Sequence, residues 1–177
     1  MGARTVFLFA DETDVLLFPP LRSAWGERGK PTQVEISGGN AKRVVFGAIN
    51  FKTGHRLLAV HPRHRAIYFQ AFLRFVRWSY RGWHVVLLLS EDSIHTAQGS
   101  RRLAEALGIE LIWLPKRAPE LNPMDELWGK GKDAVLANRQ YASIEEAAQW
   151  LVDYLLSLTP HEALQTSGLL SPHFWLK

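Results

Sequence analysis

Three stretches of the chain set charged or nucleophilic side chains directly against apolar runs. Asp11 and Glu12 follow Val6–Ala10 in "TVFLFADE", and Ser90, Glu91 and Asp92 follow Val85–Leu89 in "HVVLLLSEDSIHTAQ". Asp125 and Glu126 lie in "LNPMDELWGK". Carboxylates brought together from distant positions are what two Mg²⁺ ions need for phosphoryl transfer: one ion activates the attacking oxygen, the other stabilises the leaving oxygen. Each acid also has a structural reading. Asp125 and Glu126 suit the positive end of a helix dipole, Glu91 and Asp92 suit a loop before a helix, and His95 alone suits a hydrogen-bonded histidine. Asp11 is harder to explain in that way, because an acid directly after a core run risks costly burial. The residue types by themselves leave both readings open.

The elements that would have to position these side chains are legible from patterning. Residues 5–12 and 84–90 read as strands buried on both faces, as in a sheet covered by helices. "KRVVFGAIN" (42–50) and "HRLLAVH" (55–61) flank "FKTG" as a hairpin, and "ELIWLP" (110–115) is a further strand. Tyr68, Phe72, Phe75 and Val76 give the stripe of a core-facing helix over 66–80, and a short helix is expected near 99–108. Asn122 is a good N-cap with Pro123 at the first helical position. Ser143 and Glu146 read as a capping box ahead of Ile144, Ala147, Ala148, Leu151, Val152 and Leu155. Residues 13–40, with Pro19, Pro20, Pro31 and "SGGN", read as one long loop. The order is β, β, β, α, β, α, β, α, α: an antiparallel hairpin beside a sheet completed by crossover units. If strands 1 and 4 are parallel neighbours, their tips and the helix at 122 meet at one sheet edge.

Composition narrows the classes. The chain has 177 residues, 47% apolar and 21% charged, which suits one domain with a substantial core. No apolar run approaches the roughly 20 residues of a membrane span. With no cysteine, disulfides and thiolate metal sites are excluded, and a cytoplasmic setting fits. The net charge of +4 and pI of about 9.6 are mild. Basic residues nonetheless recur in short groups, of which Arg63 and Arg65, Lys116 and Arg117, and Lys130 and Lys132 are the candidates for phosphate contacts.

"FADE", "SEDSIH" and "APELNPMDELWGKGK" together resemble the three motif blocks of transposases in the Tc/mariner superfamily, DDE/DDD enzymes, and most of all its bacterial insertion-sequence branch. "PELNPMDELW" is the most specific piece; "WGERGKP" (25–31) and "FGAIN" (46–50) also look like family segments. The resemblance implies an α/β, ribonuclease-H-like mixed five-stranded sheet flanked by helices. It further implies a catalytic acid triad, Mg²⁺ or Mn²⁺ (two ions if the site is intact), and cutting and joining of DNA at insertion-element ends and target. The expected catalytic positions are Asp11, Ser90 and Asp125, with Asp11 and Asp125 as metal ligands. The chain is expected to be a single catalytic domain over 1–177, lacking the helix-turn-helix region that reads element ends. That region would come from a separate segment or chain, and a homodimer and a bacterial, nucleoid-associated location would fit.

Ser90 departs from the family pattern. The second block there resembles Asp-Asn-x-x-x-His, and counting back five from His95 lands on Ser90; 34 residues then separate it from Asp125, the interval the superfamily shows. Asp92 is the candidate substitute ligand, but a residue two further along a strand lies about 6–7 Å away, and Glu91 would start on the opposite face. The reading is therefore a transposase catalytic domain impaired at its second acid. The alternative is a catalytically inactive DNA- or transposase-binding remnant. A ribonuclease-H-like nuclease of replication or repair is a third reading, against which "PELNPMDELW" stands.

Overall fold

The computed structural model describes residues 4–176 except 24, 26, 27, 29–32, 35, 37 and 117. Arg117 and most of "WGERGKP" thus lie outside the described residues. Five strands, β1 (Arg4–Leu16), β2 (Lys42–Asn50), β3 (Arg56–His61), β4 (Trp83–Leu89) and β5 (Ile109–Trp113), form one mixed sheet in the order β3-β2-β1-β4-β5. β1 is central, antiparallel to β2 and parallel to β4. Helices α1 (Ala66–Ser79), α2 (Ser93–Thr96) and α3 (Gln98–Ala106) are followed by α4 (Pro123–Val135), α5 (Ile144–Ser157) and α6 (Pro160–Thr166). The first group covers one sheet face; α4, α5 and α6 cover the other. This is the expected ribonuclease-H-like arrangement.

Alternation along β1 divides its side chains between the two layers. Val6, Leu8 and Ala10 pack with α1 and α3, around Phe69, Phe72 and Leu73. Phe9 and Val15 pack with α4 and α5, around Met124, Leu127, Trp128 and Leu151. On α1 the fully buried positions are Phe69, Phe72, Leu73 and Val76, so the stripe is rotated from the one patterning suggested. Tyr68 and Phe75 are only partly buried beside it.

Other boundaries moved for identifiable reasons. β1 continues to Leu16 rather than ending at Glu12, because residues 13–16 pair with Val45–Lys42 of β2. Polar Thr13 and Asp14 hide a strand whose hydrogen bonds are backbone-made. α2 and α6 are too short for periodicity to reveal. At α5, Ser143 accepts from the Glu146 N–H at 3.1 Å, while the Glu146 carboxylate takes the Ala142 N–H instead of returning to Ser143. The reciprocal capping box is at α6, between Thr159 and Glu162.

Gly47 decides how closely α4 approaches the sheet. It pairs with Asp11 across β1 and β2. A Cβ there would lie 2.6 Å from Trp128 Cη2, 2.7 Å from Met124 Cε and 2.8 Å from Leu58 Cδ2. The tips of Met124 and Leu58 can turn aside, but the rigid Trp128 ring is held to Asp11 and resists displacement. Gly47→Ala is therefore expected to destabilise the chain by about 1–3 kcal/mol, read as a lowered urea midpoint at unchanged m-value.

Candidate active site

Asp11 emerges from β1 on the α4 side, two residues beyond Phe9. β4 pairs with β1 in register Phe9↔Leu88, and Val86 and Leu88 face the α4 layer. Continuing that alternation, Ser90, just past the end of β4, stands on the same face as Asp11. Asp125 joins them from the first turn of α4. Asp11, Ser90 and Asp125 line one cleft of about 340 Å³, floored by Leu114 and Asn122. Sequence positions 11, 90 and 125 thus converge at one sheet edge.

Asn122 ties α4 to the sheet. Its side-chain amide is buried and donates to the Ala10 carbonyl at 2.8 Å, while its Oδ1 accepts from the Met124 N–H at 3.1 Å. One residue thus caps α4 and anchors it beside Asp11. Patterning exposed only the capping half of that role. Trp128, further along α4, donates Nε1–H to Asp11 Oδ2 at 3.1 Å, through the space Gly47 leaves free. Nothing in the sequence pattern marks this indole as a carboxylate partner.

Electrostatics bear out the cost foreseen for an acid after a core run. Burial, with Glu12 next in chain, pushes Asp11 up to about 7, against the stabilising bonds from the Glu12 backbone and Trp128. Lys132, a candidate phosphate contact, turns inward instead. Burial lowers its pKa, while the charges of Asp14, Asp125 and Asp11 oppose that fall. The Lys132 ammonium is therefore near enough to feel all three acids electrostatically.

The neighbouring acids take different partners. Glu91 borders the cleft and pairs with Lys116 at 3.0 Å. Asp92 is drawn off as the N-cap of α2, accepting from the Ile94 N–H at 2.9 Å. Glu12, on the opposite face from Asp11, meets His95 Nε2 at 3.0 Å and His64 Nε2 at 2.9 Å. His95 Nδ1 lies 2.9 Å from the Ser90 carbonyl, so both ring nitrogens face acceptors. Burial alone would lower the pKa of His95, but the hydrogen bond and charge of Glu12, joined by the Ser90 carbonyl and the charge of Asp92, raise it. Arg63 and Arg65 flank a separate depression with Lys42 and Arg43, and Lys130 is exposed on α4.

Asp11 makes stability depend on pH with a definite sign. Its folded pKa lies above its unfolded value of 3.8, so folding favours the protonated form. Near pH 3 the group is protonated in both states and costs nothing. As pH rises from 3.8 towards 7 the unfolded chain gives up this proton while the folded chain keeps it, so stability falls over that window and levels off once the folded group also ionises above about 7. Asp11→Asn keeps an acceptor for Trp128 and removes the charge. In chelator it should stabilise the chain by about 2–4 kcal/mol at pH 8 and change it little near pH 4, as read by denaturant titration.

Comparison with known proteins places this geometry. Residues 6–147 match the family described as DDE superfamily endonuclease. The chain is 23% identical over 154 residues to the insertion element IS630 uncharacterized 39 kDa protein of Shigella sonnei, covering 86% of this chain and 45% of that protein. It therefore spans about half the length of the curated relatives it matches. Its fold is similar to that of the Mos1 transposase paired-end complex with left transposon end, at a TM-score of 0.70 and 19% identity, over 92% of this chain and 52% of that one. The mariner Mos1 paired end complex with Mg is matched at a TM-score of 0.70 and 18% identity, over 93% and 52% of the respective chains. With its edge cleft built on this fold and the family match spanning most of its length, the chain belongs to the DDE superfamily endonucleases.

Proposed function

We propose that this domain is built for metal-dependent cleavage and transfer of DNA strands, and that Ser90 impairs it. The observation that carries the reading is the shared cleft of Asp11, Ser90 and Asp125. In this reading Asp11 and Asp125 are the metal-holding carboxylates, and Ser90 occupies the place of the second acid.

The donor set fits a hard divalent cation, since every group is an oxygen. It fits one ion better than two. Two carboxylates oppose at most two positive charges, and Ser90 adds none. Mg²⁺ or Mn²⁺, when bound, would polarise the scissile phosphate and lower the pKa of the attacking oxygen. The chain's own residues supply the rest. Asn122 holds α4 against β1, Trp128 fixes the Asp11 rotamer, and His95 supports the backbone at Ser90 through its carbonyl. Asp92 does not replace Ser90 in this reading, because its carboxylate stands on the side of Glu12 and His64 rather than in the cleft.

DNA contact would rest on Arg63, Arg65, Lys116 and Lys130, which are exposed. Lys132 would serve the cleft rather than a phosphate on the outer surface. The scatter of these residues favours phosphate binding over base reading, so the terminal repeat would be read by a separate region. The competing reading, an inactive DNA- or transposase-binding remnant, is favoured by the same neutral serine.

Two outcomes are expected. Binding of the chain to duplex DNA should be weak, insensitive to sequence and lost steeply between low and physiological salt, as measured by fluorescence anisotropy; tight, salt-insensitive binding to one repeat would count against the proposal. The chain should also bind Mg²⁺ or Mn²⁺ poorly, and Ser90→Asp should tighten binding at least about 10-fold and restore nicking of cognate ends. The DNA-reading region is to be supplied. If Ser90→Asp gains neither metal nor cleavage, the remnant reading replaces this one.

A further inference from the structure

We propose that Glu12, His64 and Asp92 form a second metal site, selective for a Zn²⁺-class transition ion, on the face of the sheet opposite Asp11. The inference stands on residues outside the cleft and does not depend on whether that cleft is active.

The three ligand atoms lie within 4.8 Å of one another. His64 Nε2 is 2.9 Å from Glu12 Oε1 and 3.7 Å from Asp92 Oδ1, so one imidazole nitrogen already stands between two carboxylate oxygens. Zn²⁺ binds His nitrogen and carboxylate oxygen at about 2.0–2.2 Å. Donor atoms around such an ion stand about 3.0–3.6 Å apart, which these side chains reach by small rotations. They are accessible enough for an ion to enter, at 11% for Glu12, 33% for His64 and 35% for Asp92.

Two of the ligands are also held from behind, as metal ligands usually are. Glu12 Oε2 is occupied by His95 Nε2 at 3.0 Å, leaving Oε1 to face His64. Asp92 Oδ1 is fixed by the Ile94 N–H at 2.9 Å. The chemistry separates this site from the cleft. An imidazole with two carboxylates suits Zn²⁺ or Co²⁺ over Mg²⁺, whereas the oxygens of Asp11, Ser90 and Asp125 suit Mg²⁺.

The ligands come from β1, the β3–α1 connection and the N-cap of α2. An ion there would link the strand that carries Asp11 to the segment that follows Ser90, without touching either side chain. It would act as a structural staple behind the cleft.

The test is calorimetric titration of Zn²⁺ into the intact, chelator-stripped chain in millimolar Mg²⁺, with Co²⁺ absorption as a second probe. One Zn²⁺ per chain is expected, weakened at least about 10-fold by His64→Ala or Glu12→Gln. Asp125→Asn should leave it unchanged. In the unmodified chain, the His64 ring signals should shift on addition of Zn²⁺. The proposal is overturned if Zn²⁺ does not bind, if the His64 signals stay still, or if binding survives His64→Ala but is lost in Asp125→Asn.

Discussion

A single buried amide sets the geometry on which the cleft depends. The parallel register of β1 with β4 ends at Phe9↔Leu88. Just beyond it the Ala10 carbonyl receives its hydrogen bond from Asn122. That bond comes from the residue that also caps α4, so the start of the helix and the end of the parallel pairing are held at one point. Asp125 and Trp128 follow on the same helix, at distances from Asp11 fixed by helical rise rather than by loop closure. Gly47 completes the constraint from the other side, because only a missing side chain lets the indole reach the carboxylate.

The charges in the cleft form a balance that the fold maintains by itself. Asp11 is buried enough to hold its proton near neutrality, and the half-buried Lys132 feels the charges of Asp11 and Asp125. A neutral serine at position 90 is compatible with this arrangement, since a third carboxylate would add repulsion that Lys132 alone offsets poorly. The cost of Asp11 is therefore not a packing defect. It is the cost of keeping an anionic oxygen in a partly dry place, where attraction to a cation is strongest.

How much of this was legible differs by residue. The buried runs at Val6–Ala10 and Val85–Leu89 and the cap at Asn122 and Pro123 marked the strands and the helix that converge, because burial and capping are local signals. Motif resemblance, not periodicity, singled out Ser90. Trp128 and Gly47 stayed hidden because their meaning lies in a contact between β2 and α4 that no local window contains. The Glu12–His95–His64 group was hidden for the same reason, although strict alternation along "FADE" already separates its two acids. The extension of β1 through Thr13 and Asp14 was lost to polarity, which says little about backbone pairing at a strand that reaches past its core.

That alternation has a consequence for how the domain tolerates change. Asp11 and Glu12 are chemically near-equivalent neighbours, yet one faces α4 and the other faces His95. Substituting one acid for the other changes a side chain by a single methylene. Deleting one residue earlier in β1 would exchange their faces, carrying Glu12 into the cleft and Asp11 toward the histidines, while moving Phe9 and Leu8 to the wrong layers. Point substitution along this strand is therefore a graded route for divergence, whereas insertion and deletion are closed to it, and length variation is left to the connections between the strands.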